Sequence, residues 1–435
     1  VCKRSSRDWC AMTTRHVTVA ASFGARPVLD LDTTVPVVVL QLVTNPFHHG
    51  TLGIVRSLGR LGVAVHAFCD DRWTPGAWSR FSRSAVITRP NQRGADDVLK
   101  RLLGLSDRLG RRPVLIPTDD LAALLVEEHA DVLKPAFRFP DQPRGLADTL
   151  SSKKELYLLC KRFGIPTPEV AFPRSRDDVL QFIDGTLFPV VVKSIDARLL
   201  RQRPGAKSVL VAHNARELID AYDHMEVVES PNLLLQEYIP GSAETIWMFD
   251  GYFDYDSACL ASFTGHKIRQ YPPYTGVTTL GICLPNPGVE RMTHELMQTV
   301  GYRGIVDMGY RYDARDGQYK LLDVNPRIGG TFRLFVGMEG MDVVRALYLD
   351  LTGQRVPLAA PRWGRKWLVE NYDVPSSIRY MRDGRLTLSQ WVRSFQRVEE
   401  AAWFARDDPL PFAVMGARFG LSALKKLRPT PLRTR

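Results

Sequence analysis

Two carboxylates and a side-chain amide lie in one stretch, Gly301 to Thr331, and their types and spacing suggest chemistry. Asp307 sits in the middle of an apolar and aromatic run, while Asp323 and Asn325 end a second run after an Asp-Gly turn. An Asp-Gly pair favours a tight turn, so the two runs predict a hairpin of antiparallel strands. Side chains two residues apart share one face of a strand, and the three groups can therefore converge.

Oxygen ligands of this kind suit Mg²⁺ or Mn²⁺, which bind through carboxylates together with substrate phosphates. Arg327 follows two residues after Asn325 and can clamp an anion at the same point. The turn between the runs carries Asp313, whose carboxylate is expected in water. A plain hairpin with solvated acids and a structural proline is the alternative interpretation.

Strands and helices alternate in the chain before this hairpin. In residues 35–140, short β-branched runs alternate with helical spacing, which predicts a parallel sheet of the Rossmann type. Ligands gather at the carboxyl ends of such strands. His48 and His49 follow the first strand. They either bind substrate or metal, or they are ordinary surface and capping residues. Residues 1–34 show no period and are expected to form a disordered extension.

Three further stretches carry binding chemistry. Lys193 ends an apolar run, and its cation needs an anion unless only the stem is buried. Residues 233–241 predict a strand that enters a loop, with Glu237 on the strand and Glu244 beyond it. Residues 265–273 carry Lys267 and Arg269 and are expected to form a cationic loop, either at a ligand or in solvent.

Taken in order, these motifs resemble those of the ATP-grasp superfamily. Lys153 opens a helix followed by Gly-Ile-Pro-Thr-Pro, and Lys193 follows Phe-Pro-Val-Val-Val, matching two phosphate-contacting lysines of that superfamily. An acid on one strand and an Asp-x-Asn-x-Arg pattern on the next match its metal signature, although glutamate is commoner than Asp307 and Asp323 at these positions. The pattern is most similar to bacterial carboxylate–amine ligases of the D-aspartate ligase type.

The resemblance implies a role for each candidate residue. The residues implied to bind ATP, through its phosphates, adenine and ribose, are Lys153 (or Lys154), Lys193, Glu237, Tyr238, Ile239 and Glu244. The implied metal ligands are Asp307, Asp323 and Asn325. The implied catalytic residues are Lys267, with Arg269 as second choice, beside the γ-phosphate, and Arg327 at an acyl phosphate.

The resemblance also implies an α/β architecture. A Rossmann-like domain, residues 35–140, would precede an α+β ATP-grasp module with a small lobe, residues 141–235, and a large lobe, residues 236–355. Residues 356–435 would form a mainly helical C-terminal extension. Residues 194–207 stand where family members carry a glycine-rich flap, but they contain one glycine and four basic residues.

The amino-acid composition of the chain restricts the classes of partner that it can bind. The 435-residue chain has a net charge of +11, which favours acidic partners. Aromatic residues do not interleave with basic ones as a nucleic-acid surface requires, so nucleic-acid binding is the weaker alternative. No apolar run reaches the roughly 18 residues of a membrane span. The six cysteines form no C-x-x-C pair, and a cytoplasmic protein is expected.

The end of the chain is basic. No acid follows Asp408, and Phe412 to Leu427 can form an amphipathic helix. Such a helix either lies on an anionic membrane surface, which would make the protein peripheral to the membrane, or packs on its own domain.

Together these patterns predict an ATP- and Mg²⁺-dependent ligase. It would activate a small carboxylate as an acyl phosphate and join it to an amine, forming an amide. A homodimer is compatible with this prediction. A sensor that binds ATP and transfers nothing is the alternative, and carboxylate-dependent ADP release distinguishes the two.

Overall fold

The structure of the chain is a computed structural model. It describes residues 31–45, 47–69, 71–87, 94–195, 209–226 and 231–427, with side chains up to residue 422. The predicted disordered extension therefore lies mostly outside the described residues, and so does most of the basic stretch in place of the flap. Residues 31–34 do pack on the protein, because the backbone N–H of Asp32 donates to Gln354 Oε1 at 2.7 Å.

The N-terminal region contains the predicted parallel sheet, with strand order β3-β2-β1-β4. Its strands are β1 (Val37–Leu40), β2 (Val65–Cys69), β3 (Ser82–Ile87) and β4 (Val114–Pro117). Every residue of β1 is 0% exposed, as its β-branched composition predicts for a central strand. The helices beside it are α1 (His49–Gly59), α2 (Ala95–Leu109), α3 (Asp120–Glu128) and α4 (Ala130–Leu133).

A second sheet of four strands, in the order β5-β8-β6-β7, lies in the predicted small lobe. Its strands are β5 (Val170–Ala171), β6 (Val190–Ser194), β7 (Val209–Ala212) and β8 (Leu233–Glu237). The surrounding helices are α5 (Leu146–Ser151), α6 (Lys153–Phe163), α7 (Arg176–Asp184) and α8 (Ala215–Met225). Helix α6 begins and ends as predicted, because Ser152 caps its N-terminus and Gly164, at φ 66°, ends it.

The third sheet has seven strands in the order β13-β12-β9-β10-β11-β14-β15. Its first five strands in chain order are β9 (Ile246–Phe253), β10 (Cys259–Tyr271), β11 (Val277–Cys283), β12 (Gly304–Asp313) and β13 (Gln318–Asn325). Helix α9 (Pro287–Val300) precedes the β12–β13 hairpin, and α10 (Val343–Leu351) follows it. One apolar core joins this sheet to the N-terminal sheet through α1 and α10.

The C-terminal region contains two short strands beside helices. It contains three helices, α11 (Glu370–Arg382), α12 (Leu388–Ser394) and α13 (Leu410–Leu427), but also β14 (Lys366–Leu368) and β15 (Val398–Ala401). Strand β14 pairs with β11, so this region completes the seven-stranded sheet. Trp367 and Trp403 are 1% and 0% exposed and belong to the main core. Among the described residues, no helix combines the length and hydrophobicity needed to cross a membrane.

Candidate active site

The predicted hairpin is confirmed, and it brings the three proposed metal ligands together. Strands β12 and β13 are antiparallel, with Asp307 opposite Asn325 and Gly309 opposite Asp323. The Asn325 amide, through Nδ2, donates to Asp307 Oδ2 at 3.4 Å and to Asp323 Oδ2 at 3.3 Å. Two carboxylates and one amide therefore face the same point.

Two glycines leave room for the carboxylates. A Cβ on Gly309 would lie 2.3 Å from Asp323 Oδ1, and a Cβ on Gly329 would lie 2.4 Å from Asp307 Oδ2. Either contact is shorter than real Cβ atoms show, so a larger residue at either position would displace a carboxylate. The glycines thus help to shape the site, although neither supplies a side chain to it.

Arg327 lies beside this cluster. Its Nη2 donates to Asn325 Oδ1 at 3.0 Å, and its Nε donates to Asp120 Oδ1 at 2.8 Å. Asp120 begins α3, directly after the carboxyl end of β4. The N-terminal sheet therefore reaches the hairpin at the edge where parallel sheets gather ligands.

Three lysines from separate elements surround the same point. Lys153 begins α6 and donates to the Ile195 carbonyl at 3.0 Å. Lys193, on β6, donates to Gln236 Oε1 at 2.8 Å. Lys267 donates to the Gly276 carbonyl at 3.1 Å. Each of these three hydrogen bonds has an uncharged oxygen as its acceptor.

The charged groups around this point influence one another's pKa values. Burial lowers the pKa of Lys193 to about 8, Asp323 opposes this shift, and Lys153 and Lys267 add to it. Burial also lowers the pKa of Lys267, against the effect of Asp323 and Asp307. Cations and carboxylates from both lobes thus influence one another, as groups around a shared ligand would.

The acidic cluster has a buried neighbour that the sequence analysis missed. Asp250, on β9, lies opposite Asp307 and is 0% exposed. Burial raises the pKa of Asp307 to about 6, with Arg327 opposing the shift. Burial also raises the pKa of Asp250 well above its ordinary value, and the neighbouring Asp307 adds to that rise. A single acid in the otherwise apolar run of β9 was the signal available in the sequence.

The residues predicted to hold adenine and ribose lie where β8 ends. Glu237 ends β8, but its carboxylate ion-pairs with Arg315 and accepts from the Glu169 N–H at 3.2 Å. Ile239 is 3% exposed, and the Tyr238 ring lies 5.9 Å from the Arg311 guanidinium carbon. Glu244 is exposed in a short 3₁₀ turn. Glu237, Tyr238 and Ile239 are consecutive at the end of β8, Glu244 follows in the turn, and Glu237 already has cationic partners in Arg315 and Lys320.

Arg269 does not join the cluster, and the predicted cationic loop is instead part of β10. A register irregularity follows Lys267, and the Arg269 guanidinium makes two hydrogen bonds to Asp373, at 2.8 and 2.9 Å. Both side chains of this ion pair are at least 96% buried. Arg269 therefore fastens α11 to the sheet, and we remove it from the catalytic candidates.

The two histidines lie at the start of α1, close to the loop after the hairpin. His48 Nδ1 lies 3.2 Å from Thr51 Oγ1, and the His48 side chain caps α1, as the capping alternative predicts. A Cβ on Gly330 would lie 3.0 Å from His49 Nε2. Burial lowers the pKa of His48 to about 4, and Arg327 adds to the shift. The histidines therefore border the site as neutral rings.

Two other contributors were not singled out by the sequence analysis. Gln236 holds the Lys193 ammonium, and Asp120 holds Arg327. Neither residue is part of a recognisable sequence motif, because each contacts its partner across a sheet or between domains.

A narrow gap lies between the small lobe and the hairpin. Its volume is about 30 Å³, and its lining includes Lys153, Lys193, Gln236 and Leu321. Ligand pockets usually measure about 300–1,000 Å³, so a nucleotide fits there only if the small lobe moves away from the hairpin.

Comparisons with known proteins support the fold. No family model matches the chain. The sequence is 24% identical to D-aspartate ligase of Enterococcus faecium over 312 residues, which cover 68% of this chain and 73% of that protein.

Two solved structures share the architecture. N5-carboxyaminoimidazole synthetase of Staphylococcus aureus, complexed with ADP, has a TM-score of 0.59 at 11% identity, covering 83% of this chain and 89% of that chain. The biotin carboxylase domain of Hydrogenobacter thermophilus 2-oxoglutarate carboxylase, solved with MgADP and bicarbonate, has a TM-score of 0.55 at 16% identity, covering 76% and 73%. The chain thus has the ATP-grasp fold that its motifs predict.

Proposed function

We propose that this chain is an ATP- and Mg²⁺-dependent ligase that activates a carboxylate as an acyl phosphate and joins it to an amine. The observation that carries the proposal is that three lysines, two carboxylates, an amide and an arginine from the two lobes meet, with Asp120 of the N-terminal domain bonded to the arginine. The similarity to D-aspartate ligase favours this reaction over other uses of the fold.

The hairpin residues fit a divalent cation. Asp307 and Asp323 offer carboxylate oxygens, which Mg²⁺ and Mn²⁺ prefer, and Asn325 offers an amide oxygen after rotation of its terminal group. No group of three or more Asp, Glu, His or Cys that could hold a metal occurs among the described residues. The set of two acids and an amide instead suits Mg²⁺ shared with substrate phosphates. When bound, the ion would neutralise charge on the transferring phosphoryl group.

The lysines can donate hydrogen bonds to phosphate oxygens. The acceptors of Lys193 and Lys267 are uncharged, so a phosphate can replace them without breaking an ion pair. Charge-assisted hydrogen bonds are stronger than neutral ones, which makes the exchange favourable. In this proposal the three lysines hold and neutralise the ATP phosphates. Phosphoryl transfer depends mainly on such positioning and charge stabilisation.

Arg327 would orient the activated carboxylate. Its guanidinium already touches Asn325 and so adjoins the proposed metal ligands. Its second partner, Asp120, is about half exposed, and an anionic substrate can compete for the guanidinium. Arg327 would then steady the acyl phosphate while the amine attacks its carbonyl carbon and inorganic phosphate leaves.

The adenosine end would lie where β8 ends. Backbone groups of Tyr238 and Ile239 would hold the adenine edge, and the exposed Glu244 would accept hydrogen bonds from the ribose hydroxyls. Glu237 would approach the adenine amino group only if Arg315 yields one of its oxygens. The partners are thus a small carboxylate and an amine. We also propose that the protein is cytoplasmic, that it contacts a membrane peripherally, and that it forms a homodimer.

ADP release tests the function. Purified full-length protein would be given MgATP with a panel of carboxylates and amines that begins with D-aspartate, the carboxylate named for the similar ligase. We expect ADP release that requires both an acid and an amine. With a carboxylate labelled by heavy oxygen, one labelled atom should appear in the released phosphate, because the acyl phosphate passes through that oxygen. ATP binding without any carboxylate-dependent turnover would favour the sensor alternative.

A further inference from the structure

A cavity of about 300 Å³ lies between the N-terminal domain and the large lobe, and the proposed mechanism does not use it. Its volume is at the lower end of the usual range for small-molecule sites, so it suits a small ligand rather than a nucleotide. The buried part of its lining is apolar and consists of Val126, Tyr302, Ile305, Ile328 and Leu347. Such a lining favours a ligand with an apolar part.

The cavity is separate from the candidate active site. Of the residues that we assign to ATP, the metal and the acyl phosphate, Arg327 is the one that lines it in the described part of the chain. Ala123 and Glu127, which also line it, follow Asp120 on α3 by about one and two turns. The cavity therefore extends from Arg327 along α3, beyond the ion pair between Arg327 and Asp120.

Opposite charges line the cavity on different elements. The acids contributed by α3 and α4 are Glu127, Glu128 and Asp131. The arginines contributed by the rest of the lining are Arg144, Arg303 and Arg327. The two remaining charged residues, Lys134 and Asp141, pair with each other at 2.9 Å. A ligand with one positive and one negative group would therefore find a complementary charge for each.

The acids and the arginines do not pair with one another. Among the residues that the structure describes, no ion pair joins Glu127 or Glu128 to an arginine of the cavity, and Arg327 pairs with Asp120 instead. Burial raises the pKa of Tyr302, Arg327 opposes this shift, and Glu127 adds to it. An acid and an arginine thus both act on the same buried ring of the cavity, without contacting each other.

Arg303 has an N–H group that lacks an acceptor. Its Nη1 donates to the Asp141 carbonyl at 3.0 Å, and its guanidinium carbon lies 4.0 Å from the centre of the Tyr255 ring. Its Nε is buried and has no hydrogen-bond partner among the described residues. Leaving a buried N–H unpaired is costly. A carboxylate bound in the cavity would supply the missing acceptor, because a guanidinium binds a carboxylate through two parallel hydrogen bonds.

Glu127 offers the opposite charge. Its Oε1 accepts from the backbone N–H of Ala147 at 3.3 Å, which fixes the carboxylate beside the cavity. An ionised carboxylate only accepts hydrogen bonds and has room for several donors. An ammonium group of a ligand can therefore bind to Glu127 while the Ala147 N–H stays in place.

We propose that this cavity is a second binding site, and that its ligand is a small zwitterionic amino acid with an apolar side chain. The carboxylate of the ligand binds Arg303, its ammonium group binds Glu127, and its side chain packs on the apolar lining. This inference does not depend on the proposed function, because binding in the cavity requires neither ATP nor a metal ion.

Calorimetry on the full-length protein, without nucleotide or metal, tests the proposal. The probes are valine and leucine, each as both enantiomers, together with the amide and the deaminated acid of each. We expect saturable binding of at least one of the four amino acids. Its amide and its deaminated acid should bind about tenfold more weakly or worse, because each lacks one charge-assisted hydrogen bond.

Variants then locate the bound amino acid. Arg303→Gln and Glu127→Gln should each weaken its binding by about tenfold or more, for the same reason. Ala130→Leu narrows the cavity without changing its charge and should also weaken binding. Lys193→Ala should bind the amino acid as the wild type does, because Lys193 does not line the cavity. Melting temperatures without ligand show whether each variant is folded.

Matched controls come from α9, where Arg291 and Glu295 are both exposed and lie outside the cavity. Arg291→Gln and Glu295→Gln make the same chemical changes as the two charge variants and should leave the affinity unchanged.

Three results would overturn the inference. The first is that the wild-type protein binds none of the four amino acids. The second is that the folded cavity variants bind as tightly as the α9 controls, which would place the ligand elsewhere. The third is that the amide or the deaminated acid binds as tightly as the zwitterion. A failure of carboxylate-dependent ADP release would instead refute the proposed function and leave this inference standing.

Discussion

Asp323 provides the most direct test at the scale of a single residue. Asp323→Asn is nearly isosteric, and the room left by Gly309 is unchanged, so the fold should persist. In the proposed mechanism the variant loses one anionic metal ligand, and charge on the transferring phosphoryl group would then be poorly neutralised. We expect turnover to fall by about 100-fold or more, the effect of losing one electrostatic stabiliser. ADP release and the melting temperature, measured together, check this expectation.

The control for Asp323→Asn is Glu339→Gln, because Glu339 is an exposed acid in the loop after the hairpin. Asp313, which the sequence places in water, is unsuitable. It is 0% exposed and accepts from the Lys320 ammonium at 2.7 Å and from the Arg315 Nε at 2.8 Å. Equal turnover in Asp323→Asn and Glu339→Gln would place the metal site elsewhere.

Lys153 and Lys154 offer a matched pair. Lys153 points its ammonium at the Ile195 carbonyl beside the site, whereas Lys154 is exposed. We expect Lys153→Ala to weaken ATP binding by about 1–3 kcal/mol, the range for a charge-assisted hydrogen bond. Lys154→Ala should change affinity by less than about 0.5 kcal/mol, as most surface substitutions do to stability. Calorimetry measures the ATP affinity of both variants. A larger loss of affinity in Lys154→Ala than in Lys153→Ala would show that Lys154 makes the phosphate contact.

Lys193 should make ATP binding depend on pH. Burial lowers its pKa to about 8 in the free protein, so the charged form that attracts phosphate is present below pH 8 and is lost above it. ATP affinity should therefore fall between pH 7 and 9. Lys193→Arg stays charged throughout this range, so its affinity should change less. Equal pH dependence in the two proteins would show that the dependence arises from another group.

At the scale of elements, the C-terminal strands are held by a buried ionic network. Glu400, on β15, ion-pairs with Arg333 and with Arg365, each at 2.7 Å. Glu400→Gln removes a negative charge from beside two largely buried guanidinium groups. We expect a loss of about 3 kcal/mol in the free energy of unfolding, typical of breaking a buried ion pair. Denaturant unfolding measures it. Glu339→Gln is again the control, and equal stability of the two variants would contradict the network.

The elements that the sequence predicted well are those with local signals. The hairpin has an Asp-Gly turn, α6 has a serine cap and a terminal glycine, and β1 is a β-branched run. Strand β14 has three residues and exists because β11 offers an edge to pair with, a partner about 85 residues away in the chain. Lys267 and Arg269 were assigned to a loop for a similar reason, because only the pairing with β11 extends β10 through them.

The site residues, too, were predictable only where a local sequence pattern marks them. Asp307, Asp323 and Asn325 were predictable because period-two alternation places them on one face. Asp250, Gln236 and Asp120 were missed because their partners lie on other strands or in another domain, and no local pattern marks such pairs. Arg269 was misplaced because an irregularity in β10 and the distant Asp373 determine its direction.

At the scale of the whole molecule, closure between lobes is the feature that governs nucleotide access. Thr167, which precedes β5, donates to the Leu321 carbonyl on β13 at 3.1 Å, and Glu237 pairs with Arg315 across the same gap. These contacts hold the small lobe against the hairpin, and the gap is about 30 Å³. ATP binding must break at least some of them. The Arg315 side chain is 47% exposed, so its ion pair is a weak barrier to opening.

The two sides of α13 have different environments. One side of this helix packs on the N-terminal domain, because Met415 is 4% exposed and Arg418 pairs with Asp71 at 2.8 Å. The other side is apolar and exposed, with Leu410 at 47% and Leu421 at 61%. No acid follows Asp408 in the sequence, and five basic residues follow Leu424. Such a helix can pack on its domain and still present an apolar, cationic surface to anionic lipid.

We therefore expect the full-length protein to sediment with vesicles that contain anionic lipid and to remain in solution with neutral vesicles. Binding should weaken as salt rises from 0.05 to 0.5 M, because the attraction is partly electrostatic. A chain truncated after Asp408 should lose this binding yet retain ADP release, because none of the proposed site residues lies in α13. Equal sedimentation with both vesicle types, or binding that survives the truncation, would contradict a lipid-facing role for α13 and leave it as a helix that only covers its own domain.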